Sequence, residues 1–458
     1  MRTKIFALLL TVSLLFPTQA FAAAQANVSN NQVAFDFPNN AVFRATITSD
    51  SEIRSVVLEY GNEQQTCGDV IAKAFPQFTP GKSVNVEWTW EMRQSGSLPA
   101  GAQIYWRWRA TDANGNETIS ETKTATWLDD DHKWKTLSEG LINLHWYRGN
   151  ESFARDLLSA AQNGLKFNET QSGLTATAPI DIYIYGSTND LRDAVLYEPA
   201  WTGGWAFPEQ DIVILGISEG DLAWGRVTIV HELTHVLIGH LTFTCLGVVP
   251  TWLNEGLAVY SEGKLDSASQ AQFNNAIKND TLLSVRSLSA GFSEASDKAY
   301  LSYSQSYSLV KFLIETYGQA KITELLASLR NGLTVDEALQ QIYSFNIEGL
   351  EDAWRKSIGA KPRTVSAQPT AQPTPTYVPT IAPISGNQPG GNLGTPIPTS
   401  YSGSLATPTP PEYTSGPPLS LTLILLGFCC LFMLLAGVVI LGFIARFGNQ
   451  KSKGQHEQ

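Results

Sequence analysis

Two short segments carry the residues of this chain that are best suited to metal chemistry. His231 and His235 stand four positions apart in an H-E-x-x-H pattern, with Glu232 directly after the first histidine. Because residues i and i+4 lie one turn apart on the same face of a helix, both imidazoles are placed to bind one zinc ion. Glu255 offers a third ligand, and two histidines with one carboxylate form a known ligand set of catalytic zinc sites. The spacing therefore predicts one Zn²⁺ that activates a water molecule beside Glu232.

Two helices must position these residues. Apolar residues around the first motif recur with helical spacing, and Asp221 upstream is a candidate N-cap. A second helix is predicted to begin after Pro250, where proline suits the first turn, and it carries Glu255. The less favoured interpretation is a buried helix whose histidines are satisfied by hydrogen bonds, since a motif this short also arises by chance.

Segments 231–235 and 252–262 together resemble the motifs of the gluzincin metallopeptidases and are most similar to those of the bacterial peptidase MA-like family. The resemblance implies that Glu232 is the general base. It also implies three zinc ligands: His231, His235 and Glu255. Segment 303–306 resembles a downstream segment of that family, in which a tyrosine often faces the active site, and this implies such a place for Tyr303.

The chain also departs from related patterns, and the resemblance covers roughly residues 135–360. It lacks the G-x-M-E-N-type segment of the aminopeptidases that share the second motif. Val259 stands where thermolysin-like enzymes have an aspartate. His240 follows His235 by five positions, whereas the metzincin extension needs six. The peptidase MA-like family is therefore the best match.

The charges of the ligand set define the expected chemistry. Zinc held by two neutral imidazoles and one carboxylate keeps a net positive charge, which lowers the pKa of a bound water to about 7. Glu232 would take the proton of that water and return it to the leaving amine. The tetrahedral oxyanion needs a further donor. We assign Tyr303, with Tyr307 and Tyr300 as alternatives, and an ordinary half-buried aromatic is the competing interpretation for each tyrosine.

Three other residues near the motifs have possible supporting roles. Asn254 and Glu262 are candidates for outer hydrogen bonds, because ligating groups are usually oriented by such bonds. A solvated surface charge is the alternative for Glu262. His240 lies about 140° around the helix from His235, so we interpret it as structural.

The two ends of the chain predict its location. Residues 1–22 have the basic start, apolar run and small-residue cleavage site of a signal peptide. Residues 419–445 form an uncharged apolar run long enough to span a bilayer, and basic residues follow it. By the positive-inside rule the tail 446–458 is cytoplasmic. We therefore expect a type I single-pass protein of the cell membrane, anchored by one C-terminal transmembrane helix, with its catalytic domain outside the cytoplasm.

The remaining sequence predicts a multidomain chain. Residues 25–130 are expected to form an all-β sandwich, because apolar residues alternate between turn signals, and segment 105–112 resembles immunoglobulin-like or fibronectin-type modules. We interpret its alternating tryptophans as core. The alternative is a platform that binds a cell-envelope ligand. Residues 361–418, rich in Pro, Thr, Ser and Gly, are expected to be a disordered stalk.

Residues 131–360 are predicted to form an α+β metallopeptidase domain of the gluzincin type. Apolar runs at 180–185 and 211–215 predict strands, and we expect the second to end the small sheet. In gluzincins the edge strand pairs with extended substrate, so the resemblance implies that segment 203–207 borders the cleft. Helices of a second lobe are predicted near residues 267–278, 300–317, 319–330, 334–343 and 347–358.

The net charge limits the classes of binding partner, and the cysteine content limits the possible disulfides. A formal net charge of -11 and no evident basic patch argue against nucleic acid. Cys429 and Cys430 fall inside the apolar run 419–445, which leaves Cys67 and Cys245. Separation in sequence carries no geometry, so whether these two pair stays open, and we favour the unpaired state.

Taken together, the sequence predicts a membrane-anchored extracytoplasmic zinc peptidase that acts on protein or peptide substrates, and we favour an endopeptidase. The alternative is a cell-surface binding or adhesion protein that keeps an inactive or incidental peptidase fold. A zinc aminopeptidase is a narrower alternative, weakened by the missing amine-recognition segment. The sequence leaves open the substrate, the cleavage preference, the role of the β-domain and the oligomeric state.

Overall fold

The computed structural model describes residues 26–68, 71–95, 98–196, 202–292, 296–363 and 381–383. Within those ranges no helix combines the length and the apolar character needed to cross a bilayer. Even the longest of them, Ser296–Tyr317, carries charged residues along its length. This finding contradicts the predicted location as a single-pass membrane protein. The predicted signal peptide 1–22, the apolar run 419–445 and the predicted cytoplasmic tail 446–458 lie outside the described residues.

The first region of the described chain is an antiparallel sheet of seven strands and one short helix, α1, at Met92–Ser95. The strands are β1 Asn27–Asp36, β2 Asn40–Asn62, β3 Ala72–Ala74, β4 Gly81–Glu91, β5 Gln103–Asp112, β6 Glu117–Ile119 and β7 Lys123–Thr126. The first part of β2 pairs with β1 and β4, and its second part pairs with β3 and β5. Register shifts near Ile53 separate the two parts, as in sheets that turn a corner through one long strand.

Aromatic rings fill the space between the two parts of this sheet. The ring of Phe43, on the first part of β2, lies 5.7 Å from the rings of Tyr60 and Trp106. Trp106 and Trp108 are buried on the inward face of β5, and both indoles donate hydrogen bonds to Asn31 Oδ1, at 2.7 and 3.0 Å. These two tryptophans therefore belong to the core, as the alternation predicted, and are not a surface platform.

The second region is built on a sheet of six strands among the described residues: β8 Lys135–Glu139, β9 Ile142–Trp146, β10 Ile180–Tyr185, β11 Thr202–Phe207, β12 Ile212–Gly216 and β13 Ile381–Pro383. Their order is β13-β11-β12-β10-β9-β8, with β9, β10 and β12 parallel. The expectation that the strand at 211–215 ends the sheet is wrong. Every residue of β12 is buried, because neighbouring strands flank it and both its faces are covered.

The helices of this region are α2 Glu151–Phe167, α3 Thr188–Asp193, α4 Leu222–Thr242, α5 Thr251–Ser261, α6 Ser267–Asn279, α7 Ser296–Tyr317, α8 Gln319–Arg330, α9 Val335–Tyr343 and α10 Ile347–Ser357. Helices α4 to α10 lie near predicted positions, whereas α2 and α3 were not predicted. Helices α2 and α4 cover one face of the sheet, where Ile182 and Val213 join their core. The order of a β-sheet region followed by a helix-rich region agrees with the predicted fold class.

The other face of the second sheet packs against the first region. Tyr183 and Tyr185 of β10, and Ile212 and Ile214 of β12, share one buried cluster with residues of the first sheet such as Trp108. Side chains alternate between the two faces of a strand, so one sheet serves two cores. The first region therefore buries one face of the second sheet, and α4 packs on the opposite face of that sheet.

A disulfide also joins the two regions. Cys67, after β2, bonds to Cys245, after α4, with their Cα atoms 5.4 Å apart across a sequence separation of 178 residues. The unpaired state that we favoured is thus wrong, because packing between the regions brings together two positions that sequence spacing could not relate. The backbone N–H of Gln65 donates to Glu209 O at 2.8 Å beside the same junction.

Candidate metal centre

Helix α4 carries the first motif along a face that is buried from Thr228 to Ile238. Apolar neighbours such as Leu233 and Val236 anchor the helix in the core, so its polar motif residues are carried into the interior. Asp221 precedes α4, as expected, but its side chain makes no capping bond and accepts a hydrogen bond from Ser218 Oγ at 2.6 Å instead.

Helix α5 brings the third acidic residue to the same place. It begins directly after Pro250, as predicted, and Glu255 lies within its buried face. Gly256 allows α7 to approach, since a Cβ at this position would lie 2.5 Å from Ser306 O. Helices α5 and α7 therefore pack in close contact.

Three ligand atoms converge between α4 and α5. His231, His235 and Glu255 each offer one atom, and these atoms all lie within 4.8 Å of one another. Glu255 Oε2 is 3.5 Å from His231 Nε2 and 3.6 Å from His235 Nε2. All three residues are buried, at 2, 1 and 5% exposure.

The positions of these three atoms suit a shared bound cation better than hydrogen bonds among themselves. Within the described chain, both Nε2 atoms and Glu255 Oε2 have no hydrogen-bond partner. Buried polar atoms are normally satisfied, and leaving them bare costs free energy. The interpretation of two histidines satisfied by hydrogen bonds therefore fails at the atoms that face the centre. Two imidazole nitrogens and one carboxylate oxygen form a group able to hold a metal ion.

Outer hydrogen bonds orient both histidines. His231 Nδ1 lies 2.6 Å from Glu262 Oε1, and His235 Nδ1 lies 3.0 Å from Asn254 Oδ1. Because each partner atom is an acceptor, each Nδ1 carries a hydrogen, and in the neutral form of either imidazole the lone pair is on Nε2, which faces the centre. Both outer partners thus lie where the sequence suggested, and Glu262 is a contact of His231 rather than a solvated charge.

Burial and charge set the pKa values of the cluster. Burial lowers the pKa of His235 well below its ordinary value, and the charge of His231 adds to this effect. Burial also lowers the pKa of His231, but Glu255 and Glu262 outweigh it and raise that pKa well above the ordinary value. Burial raises the pKa of Glu255. Glu255 and Glu262 therefore favour the protonated form of His231, whereas burial and the charge of His231 favour neutral His235.

A buried network behind the motif was missed by sequence reasoning. Thr234 Oγ1 lies 2.7 Å from Ser261 Oγ and accepts a hydrogen bond from Asn168 Nδ2 at 2.9 Å. It connects α4 to α5 and to the turn after α2. Hydroxyl residues inside helices give no signal of such a partner, because only the packing decides which element they face.

The ring of Tyr303 contacts that of His231, with centroids 6.2 Å apart. Tyr303 and Tyr300 also line a cavity of about 60 Å³ beside His231. Tyr307 instead donates to Gly263 O at 3.4 Å. Burial, followed by the charges of Glu255 and Glu232, raises the pKa of Tyr303 well above its ordinary value. Its hydroxyl therefore keeps its proton at neutral pH.

Strand β11 passes directly beside Glu232. A Cβ on Gly204 would lie 2.5 Å from Leu215 Cδ2, 3.0 Å from Glu232 Cγ and 3.1 Å from Glu232 Oε1, so a larger residue here would have to displace these side chains. Glu232 itself is fully buried. The segment at 203–207 thus lies against the motif helix.

His240 is held away from the cluster. Its Nε2 lies 2.5 Å from Asp211 Oδ1, and its Nδ1 accepts from the backbone N–H of Thr177 at 3.1 Å. This histidine ties the end of α4 to the turn before β12. The arrangement fits the structural role that its position on the helix indicated.

Comparison with known proteins agrees with this geometry. Residues 160–360 match the model of the Peptidase MA superfamily, which confirms the resemblance carried by the two motifs. The match supports a metallopeptidase. None of the curated proteins matches the sequence significantly.

Several solved structures show remote likeness. OgpA from Akkermansia muciniphila is 12% identical over 25% of this chain and 31% of its own, with a TM-score of 0.19. Aminopeptidase A from Legionella pneumophila, in complex with aspartic acid, is 12% identical over 72% of this chain and 50% of its own, with a TM-score of 0.32. The chain thus spans about a third of OgpA and half of the aminopeptidase. At such TM-scores neither likeness bears on function.

Proposed function

We propose that this protein is a zinc-dependent peptidase that cleaves peptide bonds within protein or peptide substrates. The proposed zinc ligands are His231, His235 and Glu255. The observation that carries the proposal is the convergence of three buried ligand atoms within 4.8 Å, with both Nε2 atoms and Glu255 Oε2 lacking hydrogen bonds in the described residues. One zinc ion bound there would supply a Lewis acid and lower the pKa of a water molecule to about 7.

Glu232 is the proposed general base. It adjoins His231 in sequence and is buried beside β11. Its carboxylate would accept a proton from the attacking water and then give that proton to the leaving amine nitrogen, which is the role of a positioned acid-base group. Gly204 itself places no side chain against Glu232.

Tyr303 is the proposed donor to the oxyanion. Its ring contacts His231, and its raised pKa keeps the phenol protonated, so it can donate a hydrogen bond as charge develops on the carbonyl oxygen. Asn254 and Glu262 would hold the imidazoles in the required orientation through their Nδ1 atoms.

Cleavage within chains is proposed over removal of single N-terminal residues. The sequence lacks the amine-recognition segment of related aminopeptidases. The outer edge of β11, next to Glu232, is suited to the backbone of an extended peptide, which needs no free terminus to pair with a strand.

The test measures zinc content and hydrolysis together. The purified full chain should bind one zinc ion and cleave an unfolded protein at internal bonds. Glu232→Gln should keep the zinc and lose at least about 100-fold in turnover, as expected for an acid-base group. The matched control Glu139→Gln, at an exposed position of β8, should retain both. Equal turnover by Glu232→Gln and wild type would refute the assigned base, and absence of zinc would refute the metal site.

A further inference from the structure

The outer edge of β11 is occupied by a piece of the same chain. Strand β13, Ile381–Pro383, runs antiparallel to β11, and the paired positions are Trp205 with Ile381, Gly204 with Ala382 and Thr202 with Pro383. Strand β13 also contacts α4, the helix of the H-E-x-x-H motif. Residues 361–363, the other described part of the predicted disordered stalk 361–418, have no regular structure, so β13 departs from that prediction.

The position of β13 coincides with the proposed place of substrate. Gly204 is the residue of β11 whose Cβ would press on Glu232, and Ala382 lies opposite it. An extended substrate that adds to β11 beside the base would need the same edge, and two strands cannot occupy one edge of a sheet at once.

The sequence around β13 suits a temporary edge strand. Val378, Ile381 and Ile384 place β-branched residues with high strand propensity in a stretch otherwise rich in residues that disfavour strands. Pro383 has no backbone N–H, so it is tolerated at a sheet edge but does not support pairing on both sides. The 17 residues between Arg363 and Ile381 span at most roughly 60 Å when extended, so the tether permits the return of the chain.

We propose that Ile381–Pro383 is an intramolecular strap that competes with extended peptide substrate for the outer edge of β11. This inference rests on the proposed peptidase function. A tethered segment meets its own site at an effective concentration on the order of 1 mM, so a strand of only three residues still competes although it pairs weakly. Substrate at sufficient concentration displaces the strap. The strap therefore raises the apparent KM and leaves kcat unchanged.

The first arm of the test is kinetic and uses the full chain. Replacing Ile381→Pro and Ala382→Pro removes the two backbone N–H groups that β13 still has and should lower the apparent KM for an extended peptide about two- to tenfold, with kcat unchanged, as expected for a competitor at millimolar effective concentration. The matched control, Thr399→Pro with Ser400→Pro, creates a proline run of equal length in the same stretch and should leave KM at the wild-type value.

The second arm does not depend on turnover. Cysteines at Trp205 and Ile381, which face each other in the register, should form a disulfide on mild oxidation in a Glu232→Gln background. The control pair places cysteines at Trp205 and Ile397, and excess substrate-like peptide should slow only the first reaction. Equal trapping in both pairs, together with an unchanged KM, would overturn the strap. Absence of turnover in every variant would instead refute the peptidase, while trapping would still decide whether β13 holds this edge.

Discussion

Two buried glutamates, one in each region of the molecule, have opposite surroundings. Glu59 on β2 is 2% exposed, and its carboxylate lies 2.6 Å from Arg107 Nε and 3.2 Å from Arg109 Nε. Glu255 on α5 is 5% exposed, and the two nitrogens nearest its Oε2 are histidine Nε2 atoms at 3.5 and 3.6 Å. The carboxylate of Glu59 is thus neutralised by arginines of its own region, whereas Glu255 Oε2 has no arginine partner in the described part of the chain.

The pKa values of the two groups differ accordingly. Burial raises the pKa of Glu59, but the hydrogen bonds of Arg107 and Arg109 outweigh burial and hold that pKa below its ordinary value. Burial raises the pKa of Glu255, and His231 opposes this only in part. A buried charge that serves stability is satisfied within the fold, whereas a site built for a cation keeps ligand atoms bare.

The largest expected effect is at Glu255. Glu255→Gln removes the anionic ligand, so it should abolish stoichiometric metal binding and lower turnover at least about 100-fold, since the loss of outer partners alone costs 10- to 100-fold. Metal analysis after dialysis and a turnover assay check this. In metal-free protein the free energy of unfolding should not fall, because glutamine removes a poorly compensated buried charge. Full metal binding by the variant would contradict the assignment of Glu255.

At Glu59 we expect the reverse, a loss of stability without a loss of metal binding or turnover. Glu59→Gln leaves two arginines without their anion and should lower the free energy of unfolding by about 2 kcal/mol, below the 3–5 kcal/mol of fully buried pairs because the arginines are partly exposed. Metal content and turnover per folded molecule should not change. Urea unfolding measures the difference, and a neutral substitution would remove the contrast between the regions.

The pH dependence sharpens the same contrast. Because the pKa of Glu59 is lowered on folding, its contribution to stability is complete above its ordinary pKa and is lost as pH falls through the folded value. The difference in unfolding free energy between wild type and Glu59→Gln should therefore be constant near pH 7 and shrink below about pH 4.5. A difference that grows on acidification would show that Glu59 acts otherwise.

A smaller effect is expected at Glu262, which contacts a proposed metal ligand but is not one itself. Glu262→Gln keeps an acceptor for His231 Nδ1 but removes its charge, so it should weaken metal affinity about tenfold, the lower end of the range for outer partners. Competition with a chelator measures this affinity. Glu324→Gln, which alters an exposed glutamate on α8, is the matched control.

The smallest effect on activity is expected behind the motif helix. Thr234→Val keeps the branched shape but leaves Asn168 Nδ2 and Ser261 Oγ without Thr234 Oγ1. The free energy of unfolding should fall by about 1–3 kcal/mol, the usual cost of buried groups that lose a partner. Turnover at saturating zinc should stay within about threefold, because no ligand is altered. Loss of turnover without loss of stability would give Thr234 a role beyond packing.

Local sequence patterns predicted much of the second region. The i, i+4 spacing of His231 and His235 on an apolar helix and the start of α5 after Pro250 depend on backbone periodicity alone. Most of the helices of the second lobe lie near their predicted positions for the same reason. The structure also places Tyr303 against the ring of His231.

The predictions that the structure corrected failed for a different reason from the one that made the helix predictions succeed. The Cys67–Cys245 disulfide and the pairing of Ile381–Pro383 with β11 join positions distant in sequence, and the place of β12 inside its sheet depends on which strands pair with it. A pattern of residue types specifies which segment forms a strand, but it does not specify which neighbour that strand finds. The location inferred from segment 419–445 was contradicted because no described helix could span a bilayer.

What the sequence determined by itself is the set of groups and their local geometry: two imidazoles on one helical turn, a glutamate beside them and a second helix with a carboxylate. Only the tertiary structure decided that Glu255 meets the two Nε2 atoms, that the first region covers one face of the second sheet and that β13 lies on β11. Helical periodicity is local and needs no partner, whereas convergence of groups from separate elements is fixed by how those elements bury their apolar faces together.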